Sequence, residues 1–201
     1  MLCGTSLACV RGERPLFSAI DLAVDRGRWL HVRGANGVGK TSLLRMLAGL
    51  AQPAQGEIRW RGETIADCAS RYRGELLFLG HQAALKEDLT AQENIELAGA
   101  LDGATPPRAA VGAALNRCGL QGREQLPVRA LSAGQKRRVL LARLLTRQAT
   151  LWLLDEPFTA LDADAASLLS DLLAQHLAHG GMAVLTSHQP VALAGGTALD
   201  L

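Results

Sequence analysis

Apolar and polar positions follow two different periods along this chain, and the two periods separate it into strands and helices. Apolar runs or alternating positions predict strands at 7–10, 16–24, 29–33, 57–60, 75–80, 151–154 and 182–187. From about residue 83 to 148 the apolar residues recur at helical spacing, and another amphipathic helix is predicted at 163–179. Strands that alternate with helices indicate an open, mostly parallel sheet.

One stretch between the strand at 29–33 and the helix after it carries chemistry. It fits the phosphate-binding pattern G-x-x-x-x-G-K-[S/T] and consists of Gly34, Ala35, Asn36, Gly37, Val38, Gly39, Lys40 and Thr41, followed by Ser42. Backbone N–H groups in such a loop surround an anion, and the next helix directs its positive end to the same place. Lys40 is expected to reach the phosphates, and the Thr41 hydroxyl to bind Mg²⁺. The pattern predicts a nucleoside triphosphate site; the alternative is a glycine-rich turn.

Polar residues also follow the ends of three other predicted strands, namely Gln82, Asp155 with Glu156, and His188. Ligands of parallel sheets bind beyond the carboxyl ends of the strands, so these side chains are predicted to converge on the phosphate loop. Asp155 is expected to be the metal-side carboxylate and Glu156 the general base that acts on water. The alternative for this pair is a solvated strand end.

Composition restricts the function further. The chain has 201 residues, a net charge of +2 and 48% hydrophobic residues, which is ordinary for a globular protein and gives no electrostatic argument for nucleic acid or anionic lipid. No apolar run approaches the length of a membrane span, and the N-terminus lacks the regions of a signal peptide, so a cytosolic chain is expected. The four cysteines form no C-x-x-C pair, so a zinc or haem attachment site is not indicated.

The segment Leu131-Ser132-Ala133-Gly134-Gln135 resembles the L-S-G-G-Q signature of ABC-type ATPases, with one alanine for glycine. The same spacing also predicts a capping box at a helix start. The order of phosphate loop, Gln82, signature, Asp155-Glu156, Ala160-Leu161-Asp162 and His188 is similar to that family over nearly the whole chain.

This resemblance implies an α/β fold of the P-loop NTPase (RecA-like) type. A mostly parallel sheet would be joined by an antiparallel β subdomain and a helical signature subdomain. We expect a single ABC ATPase domain over 1–201, with a nucleotide-binding core at 1–82 and 149–201 and the helical subdomain at about 83–148.

In that family two subunits enclose ATP between them, so the resemblance implies a homodimer that hydrolyses ATP with Mg²⁺. Ser132, Gly134 and Gln135 of one copy would close over the γ-phosphate held by the other, and Asp162 would communicate across the dimer. Gln82 would contribute to the metal site and couple it to a partner, and His188 would contact the γ-phosphate. The family usually has an aromatic residue near position 11 that stacks on adenine; this chain has Arg11, whose guanidinium can also stack on a base.

A narrower resemblance lies in Leu79-Gly80-His81-Gln82 and in the segment 85–95, which are similar to a stretch of the cytochrome c maturation ATPases, the CcmA family of haem exporter subunits. It implies a peripheral location on the cytoplasmic face of the bacterial inner membrane, with small integral membrane subunits of the CcmB and CcmC kind. These partners would deliver haem to a periplasmic haem chaperone, and ATP hydrolysis would be linked to release of the loaded chaperone. No direct haem binding and no nucleic acid partner are expected for this chain.

Three other functions stay open at this point. They are an ABC ATPase subunit for another cargo (lipid, metal or small molecule), an ABC ATPase acting on DNA or ribosomes, and a P-loop kinase of a metabolite. The absence of room for a coiled-coil arm argues against the second, and the signature argues against the third. The basic residues 136–138 are interpreted as a solvated face. His31, His176 and His179 are interpreted as structural or solvated, with a partial charge favoured on the last two near a helix C-terminus.

Overall fold

Contacts within the chain divide it into two units in the computed structural model, which describes residues 1–80, 84–188, 191 and 193–201. The first unit comprises Met1–His81, Ala149–Pro157 and Leu173–Leu201, and the second comprises Gln82–Gln148 and Phe158–Leu172.

The first unit contains two sheets. The antiparallel sheet consists of β1 (Leu2–Arg11), β2 (Arg14–Val24), β4 (Gln55–Trp60) and β5 (Glu63–Thr64), in the order β2-β1-β4-β5. The parallel sheet consists of β3 (Trp29–Arg33), β6 (Leu76–Leu79), β7 (Leu151–Leu154), β8 (Met182–Thr186) and β9 (Gly196–Asp200), in the order β6-β7-β8-β3-β9. Every residue of β7 and β8 is buried, which explains why both are apolar runs without alternation.

Both units contain helices. In the first unit α1 (Lys40–Leu47) contacts β7 and β8, and α2 (Ala69–Glu75) contacts β6. In the second unit α3 (Ala91–Leu101), α4 (Arg108–Arg117) and α5 (Ala133–Thr146) pack against one another. The last helix, α6 (Ala163–Ala178), begins in the second unit and ends in the first. Within the described residues, no helix combines the length and the apolar character that crossing a bilayer requires.

The fold class predicted from the sequence is confirmed: a parallel sheet, an antiparallel sheet and a group of helices are all present. The capping box predicted at Ser132 is confirmed as well, and a second one lies at Thr90. Thr90 Oγ1 accepts the Glu93 N–H at 3.1 Å while the Glu93 carboxylate accepts the Thr90 N–H at 2.8 Å, and α5 begins in the same way at Ser132.

Helix α2 and strands β5 and β9 were not predicted from the sequence. Helix α2 is short and polar (ASRYRGE), and β9 has the sequence GTALD with mostly exposed positions, so neither shows an apolar period. Strand β9 owes its place to parallel pairing with β3, from Trp29 opposite Gly196 to Arg33 opposite Asp200. Partners that lie this far apart in the chain cannot be recognised from local pattern.

His176 is structural, as interpreted from the sequence, but the partial charge expected on its ring is wrong. Its ring is stacked on Trp152 with centroids 3.9 Å apart and planes at 6°, and Nε2 lies 3.1 Å from the Met182 carbonyl oxygen. Burial lowers the pKa of His176 below its ordinary value of 6.5, against a smaller opposing effect of the Met182 carbonyl. The fold therefore favours the neutral form of the His176 ring.

This burial predicts a loss of stability in acid. Below about pH 6.5 the unfolded chain takes up a proton at His176 that the folded chain resists, so the contribution of a neutral His176 is present at neutral pH and decreases as the pH falls. Urea unfolding from about pH 7.5 to about pH 5.5 should show a steeper loss for the wild type than for His176→Phe. His179→Gln, at an exposed position, should keep the wild-type slope. Parallel pH profiles for the wild type and His176→Phe would contradict the assignment.

Candidate nucleotide-binding site

The loop at residues 34–41 leaves β3 and enters α1 by way of a backbone that only glycine adopts readily. Gly39, the N-cap of α1, has φ +118°. A Cβ at this position would lie 2.9 Å from Cδ1 of Phe17, so the β2 side chain packs directly against the loop backbone. The loop at 34–41 is therefore closely packed at Gly39, and a side chain at position 39 does not fit.

Lys40 is held inside this loop. Its Nζ donates to the carbonyl oxygens of Gly34 at 2.8 Å and Ala35 at 3.2 Å, and the residue is buried. An ammonium group has three N–H donors, so one more acceptor can be bound at the same nitrogen. Together with the positive end of α1, this arrangement forms an anion site.

Asp155 follows β7 and lies next to the phosphate loop. Thr41 Oγ1 donates to its Oδ2 at 2.8 Å, and Thr186 Oγ1 donates to its Oδ1 at 2.8 Å. Asp155 is buried, and its backbone N–H donates to the Leu79 carbonyl at 2.8 Å. Thr186 did not emerge from the sequence as a site residue; the available signal was a hydroxyl at the end of a buried apolar strand, beside His188.

Glu156 has a backbone conformation that is rare outside glycine, with φ +49°. Its N–H donates to Thr186 Oγ1 at 2.8 Å, and this hydrogen bond fixes the backbone N–H of Glu156. The side chain is buried, and its Oε1 lies 3.3 Å from Nε2 of His188, whose own side chain is 52% exposed. The predicted general base and the predicted γ-phosphate contact are thus neighbours.

A cavity of about 270 Å³ joins these groups within the first unit. Its lining consists of Arg11, Leu16, Asn36, Gly37, Gly39, Lys40, Thr41, Ser42, Glu156 and His188. The structure therefore brings the phosphate loop, Glu156, His188 and Arg11 together, as the sequence predicts. Leu16, an apolar wall on β2, was not predicted. Gln82 lies outside the described residues.

The signature residues lie in the second unit, at the N-terminus of α5. Ser132 Oγ accepts the Gln135 N–H at 3.2 Å, and Gln135 Oε1 accepts the Ser132 N–H at 3.0 Å. The two side chains thus satisfy each other's backbone donors, while the remaining first-turn N–H groups, including that of Gly134, have no acceptor within the helix. A helix start of this kind favours an anion.

The interpretation of residues 136–138 as a solvated face is wrong for Lys136 and Arg138. Lys136 Nζ pairs with Glu87 Oε1 at 2.8 Å, and Arg138 Nη2 donates to both carboxylate oxygens of Asp162, at 2.6 and 2.7 Å. Hydrogen bonds from Arg138 and from the Ala165 N–H lower the pKa of Asp162, which holds it as an anion at the start of α6. The predicted dimer-contact residue is therefore already engaged within its own unit.

The segment that resembles the cytochrome c maturation ATPases is organised by Asn94. Its Oδ1 accepts the Lys86 N–H at 2.7 Å, and its Nδ2 donates to the carbonyls of Lys86, Leu89 and Thr90 at 3.0, 3.3 and 2.9 Å. The buried side-chain amide of Asn94 thus forms hydrogen bonds with both ends of the loop that precedes α3. The residue pattern of this segment has a physical basis, because the capping box and Asn94 together fix the loop.

Comparison with known proteins agrees with these residues. A sequence model described as ABC transporter matches residues 17–159. The cytochrome c biogenesis ATP-binding export protein CcmA of Nitrosospira multiformis is 50% identical over 96% of this chain and 93% of that relative. The protein of the same name from Methylococcus capsulatus is 50% identical over 96% of this chain and 94% of that relative.

Solved structures show the same fold. The bacterial ABC transporter cassette MJ0796, solved as a dimer, aligns with a TM-score of 0.83 and 25% identity, over 100% of this chain and 94% of that chain. The chain belongs to the ABC transporter family and, within it, to the CcmA proteins, which carry the name cytochrome c biogenesis ATP-binding export protein.

Proposed function

We propose that this chain powers a membrane complex that transfers haem to a periplasmic haem chaperone during c-type cytochrome assembly. As a member of the CcmA family, the chain is an ABC-type ATPase of cytochrome c biogenesis. The observation that carries the chemical part of the proposal is the group formed by Lys40, Asp155 and Glu156 around one phosphate loop.

ATP would bind with its phosphates in the loop at 34–41. The third donor of Lys40 and the N–H groups at the start of α1 would neutralise the β- and γ-phosphate oxygens. Arg11 and Leu16 lie on the same cavity and would face the nucleoside.

The residues beside the loop fit Mg²⁺. The Thr41 hydroxyl and the Asp155 carboxylate supply hard oxygen donors 2.8 Å apart, which is the ligand chemistry that Mg²⁺ prefers. Mg²⁺, when bound, would withdraw charge from the phosphate oxygens. Thr186 would keep the second carboxylate oxygen of Asp155 in place by its hydrogen bond. Gln82 is proposed as a further contributor that links the metal site to a partner.

Glu156 would accept a proton from the water that attacks the γ-phosphate, or orient that water. The proximity of His188 to Glu156 supports a role for His188 at the γ-phosphate side of the site. Hydrolysis needs no phosphate acceptor other than water. The residues that surround the phosphate loop therefore favour an ATPase over a metabolite kinase.

A second copy of the chain would complete this site. Ser132, Gly134 and Gln135 at the start of α5 would cover the γ-phosphate held by the other copy, and Asp162 would carry the state of one site to the other. The anion-binding character of this helix start supports the proposal, and the similar cassette MJ0796 was solved as a dimer.

We place the dimer at the cytoplasmic face of the bacterial inner membrane, bound to small integral subunits of the CcmB and CcmC kind. Those subunits would handle haem, and this chain would bind neither haem nor nucleic acid. ATP can shift these membrane subunits between two states only to the extent that it binds the open and the closed dimer with different affinities. The relatives named for cytochrome c biogenesis support this cargo over a lipid, a metal or another small molecule.

The cargo proposal is tested by deletion and co-purification in the source bacterium. Deletion should abolish c-type cytochromes, and the wild-type chain but not Lys40→Ala should restore them. The chain should co-purify with haem-handling membrane subunits. Recovery with an unrelated permease, together with normal c-type cytochromes after deletion, would contradict the haem proposal and favour another cargo.

Glu156→Gln should separate binding from hydrolysis. Loss of the general base is expected to lower ATP turnover by about 100-fold or more, while ATP affinity is retained. Lys40→Ala should lose both, because it removes the ammonium from the phosphates. Turnover by the full complex and equilibrium binding of a labelled ATP measure the two effects. Wild-type turnover in Glu156→Gln would contradict its role.

Thr186→Val tests the residue that holds Asp155. Valine has nearly the same shape but removes the hydrogen bond to Asp155 Oδ1 and the acceptor of the Glu156 N–H, at a cost of about 1–3 kcal/mol in unfolding free energy. We expect turnover about tenfold lower, as for residues that orient metal ligands. Thr186→Ser retains the hydroxyl and should stay near the wild type. Equal turnover in the valine and serine variants would show that the hydroxyl is not required.

Arg11→Tyr tests the nucleoside side of the cavity. A tyrosine ring should stack on adenine more strongly than the guanidinium does, lowering KM for ATP by about threefold to tenfold and increasing discrimination against GTP. Arg14, opposite Arg11 in the hairpin, is not among the described lining residues, so Arg14→Tyr is the matched control. The same KM for ATP in Arg11→Tyr and Arg14→Tyr would exclude stacking at position 11.

A further inference from the structure

One guanidinium joins three segments of the second unit. Arg138 on α5 donates through Nη2 to both carboxylate oxygens of Asp162, at 2.6 and 2.7 Å, and through Nη1 to the Cys118 carbonyl at 2.9 Å. Its side chain is only 18% exposed. The end of α4, the signature helix and the segment before α6 therefore meet at this side chain.

The chain leaves room for this guanidinium at Gly119. The residue has φ +74°, and a Cβ there would lie 2.6 Å from Nη1 of Arg138. A Cβ at position 119 would therefore require Nη1 of Arg138 to shift from its place beside the Cys118 carbonyl. The absence of a side chain at Gly119 is thus compatible with the observed position of Arg138.

Asp162 is fixed by these contacts in both position and orientation. Its Oδ1 also accepts the Ala165 N–H at 2.9 Å, which caps α6. Its side chain is 63% exposed, and ion pairs at such positions contribute little to stability because water screens them. The contacts of Arg138 Nη2 with both carboxylate oxygens, together with the Ala165 N–H, nevertheless fix the orientation of the Asp162 carboxylate, so the effect is on geometry.

The segment that carries Asp162 also runs beside the first turn of the signature helix. A Cβ at Gly134 would lie 3.7 Å from the Ala160 carbonyl oxygen, and Ala160 has φ +61°, which is rare for a residue other than glycine. The helix start at Ser132 and the carboxylate of Asp162 are thus parts of one locally fixed surface.

We propose that Arg138 is a positioning residue for ATP hydrolysis. It holds Asp162 against the signature helix, so that Ser132, Gly134 and Asp162 meet the second copy as one rigid surface. The inference rests on the proposed function, in which these residues contact the other subunit. ATP affinity of the phosphate loop does not depend on Arg138, whereas hydrolysis does.

A double-mutant cycle in the full complex tests this. Arg138→Ala should lower kcat by about tenfold, within the range of couplings between linked sites, and leave the Kd of the separate chain for ATP unchanged. In the Asp162→Ala background the same substitution should lower kcat by less than about twofold, because Arg138 then has no carboxylate to hold. Arg138→Lys should recover only part of the activity, since lysine has one donor nitrogen in place of the two that bond the Cys118 carbonyl and the Asp162 carboxylate.

Arg129→Ala is the matched control, because it breaks another Arg–Asp pair of the same unit, with Asp88, and should keep the wild-type kcat. Equal losses from Arg138→Ala in the two backgrounds would overturn the inference, and so would a wild-type kcat in Asp162→Ala. Either result leaves the ATPase activity at the phosphate loop intact if Lys40→Ala is still inactive, although a wild-type kcat in Asp162→Ala would also remove the role proposed for Asp162. An inactive wild-type complex would instead overturn both the inference and the proposed function.

Discussion

The carboxylate of Asp155 is the constraint on which the nucleotide site depends. Its two oxygens accept hydrogen bonds from hydroxyls on different elements, Thr41 at the start of α1 and Thr186 at the end of β8. A buried carboxylate without donors would be costly, so the same bonds that make the charge tolerable also fix its direction. Thr186 extends the network to the backbone of Glu156. The hydrogen bonds to Asp155 therefore both stabilise this edge of the parallel sheet and orient the groups of the nucleotide site.

The two parts of the proposed site are preorganised by different means. In the first unit the groups follow the ends of neighbouring parallel strands and are fixed by side-chain hydroxyls and by backbone carbonyls of the phosphate loop. In the second unit the signature helix depends on side chains, with Gln135 capping Ser132 and Arg138 holding Asp162. Donors that are fixed before the ligand binds need little reorganisation when charge develops, which is the main electrostatic advantage of an enzyme site.

Much of this could be predicted from the sequence because the signals are local. The phosphate loop and the capping boxes depend on residues only a few positions apart, and Asp155 is marked by the apolar strand before it. The contact of Thr186 with Asp155 and that of Arg138 with Asp162 join residues 31 and 24 positions apart, and no local pattern reveals them. The same limit explains the missed β9 strand and the charge wrongly expected on His176, whose burial depends on Trp152.

In the proposed mechanism a second copy of the chain completes the ATP site. Sedimentation of the Glu156→Gln chain with Mg²⁺ and ATP is the decisive measurement, because this variant should bind ATP without consuming it. We expect monomers with ADP and dimers with ATP, and a return to monomers when Ser132→Arg is added, since a bulky side chain would occupy the helix start. An ATP-saturated monomer, both alone and with the membrane subunits, would exclude a site shared between two copies.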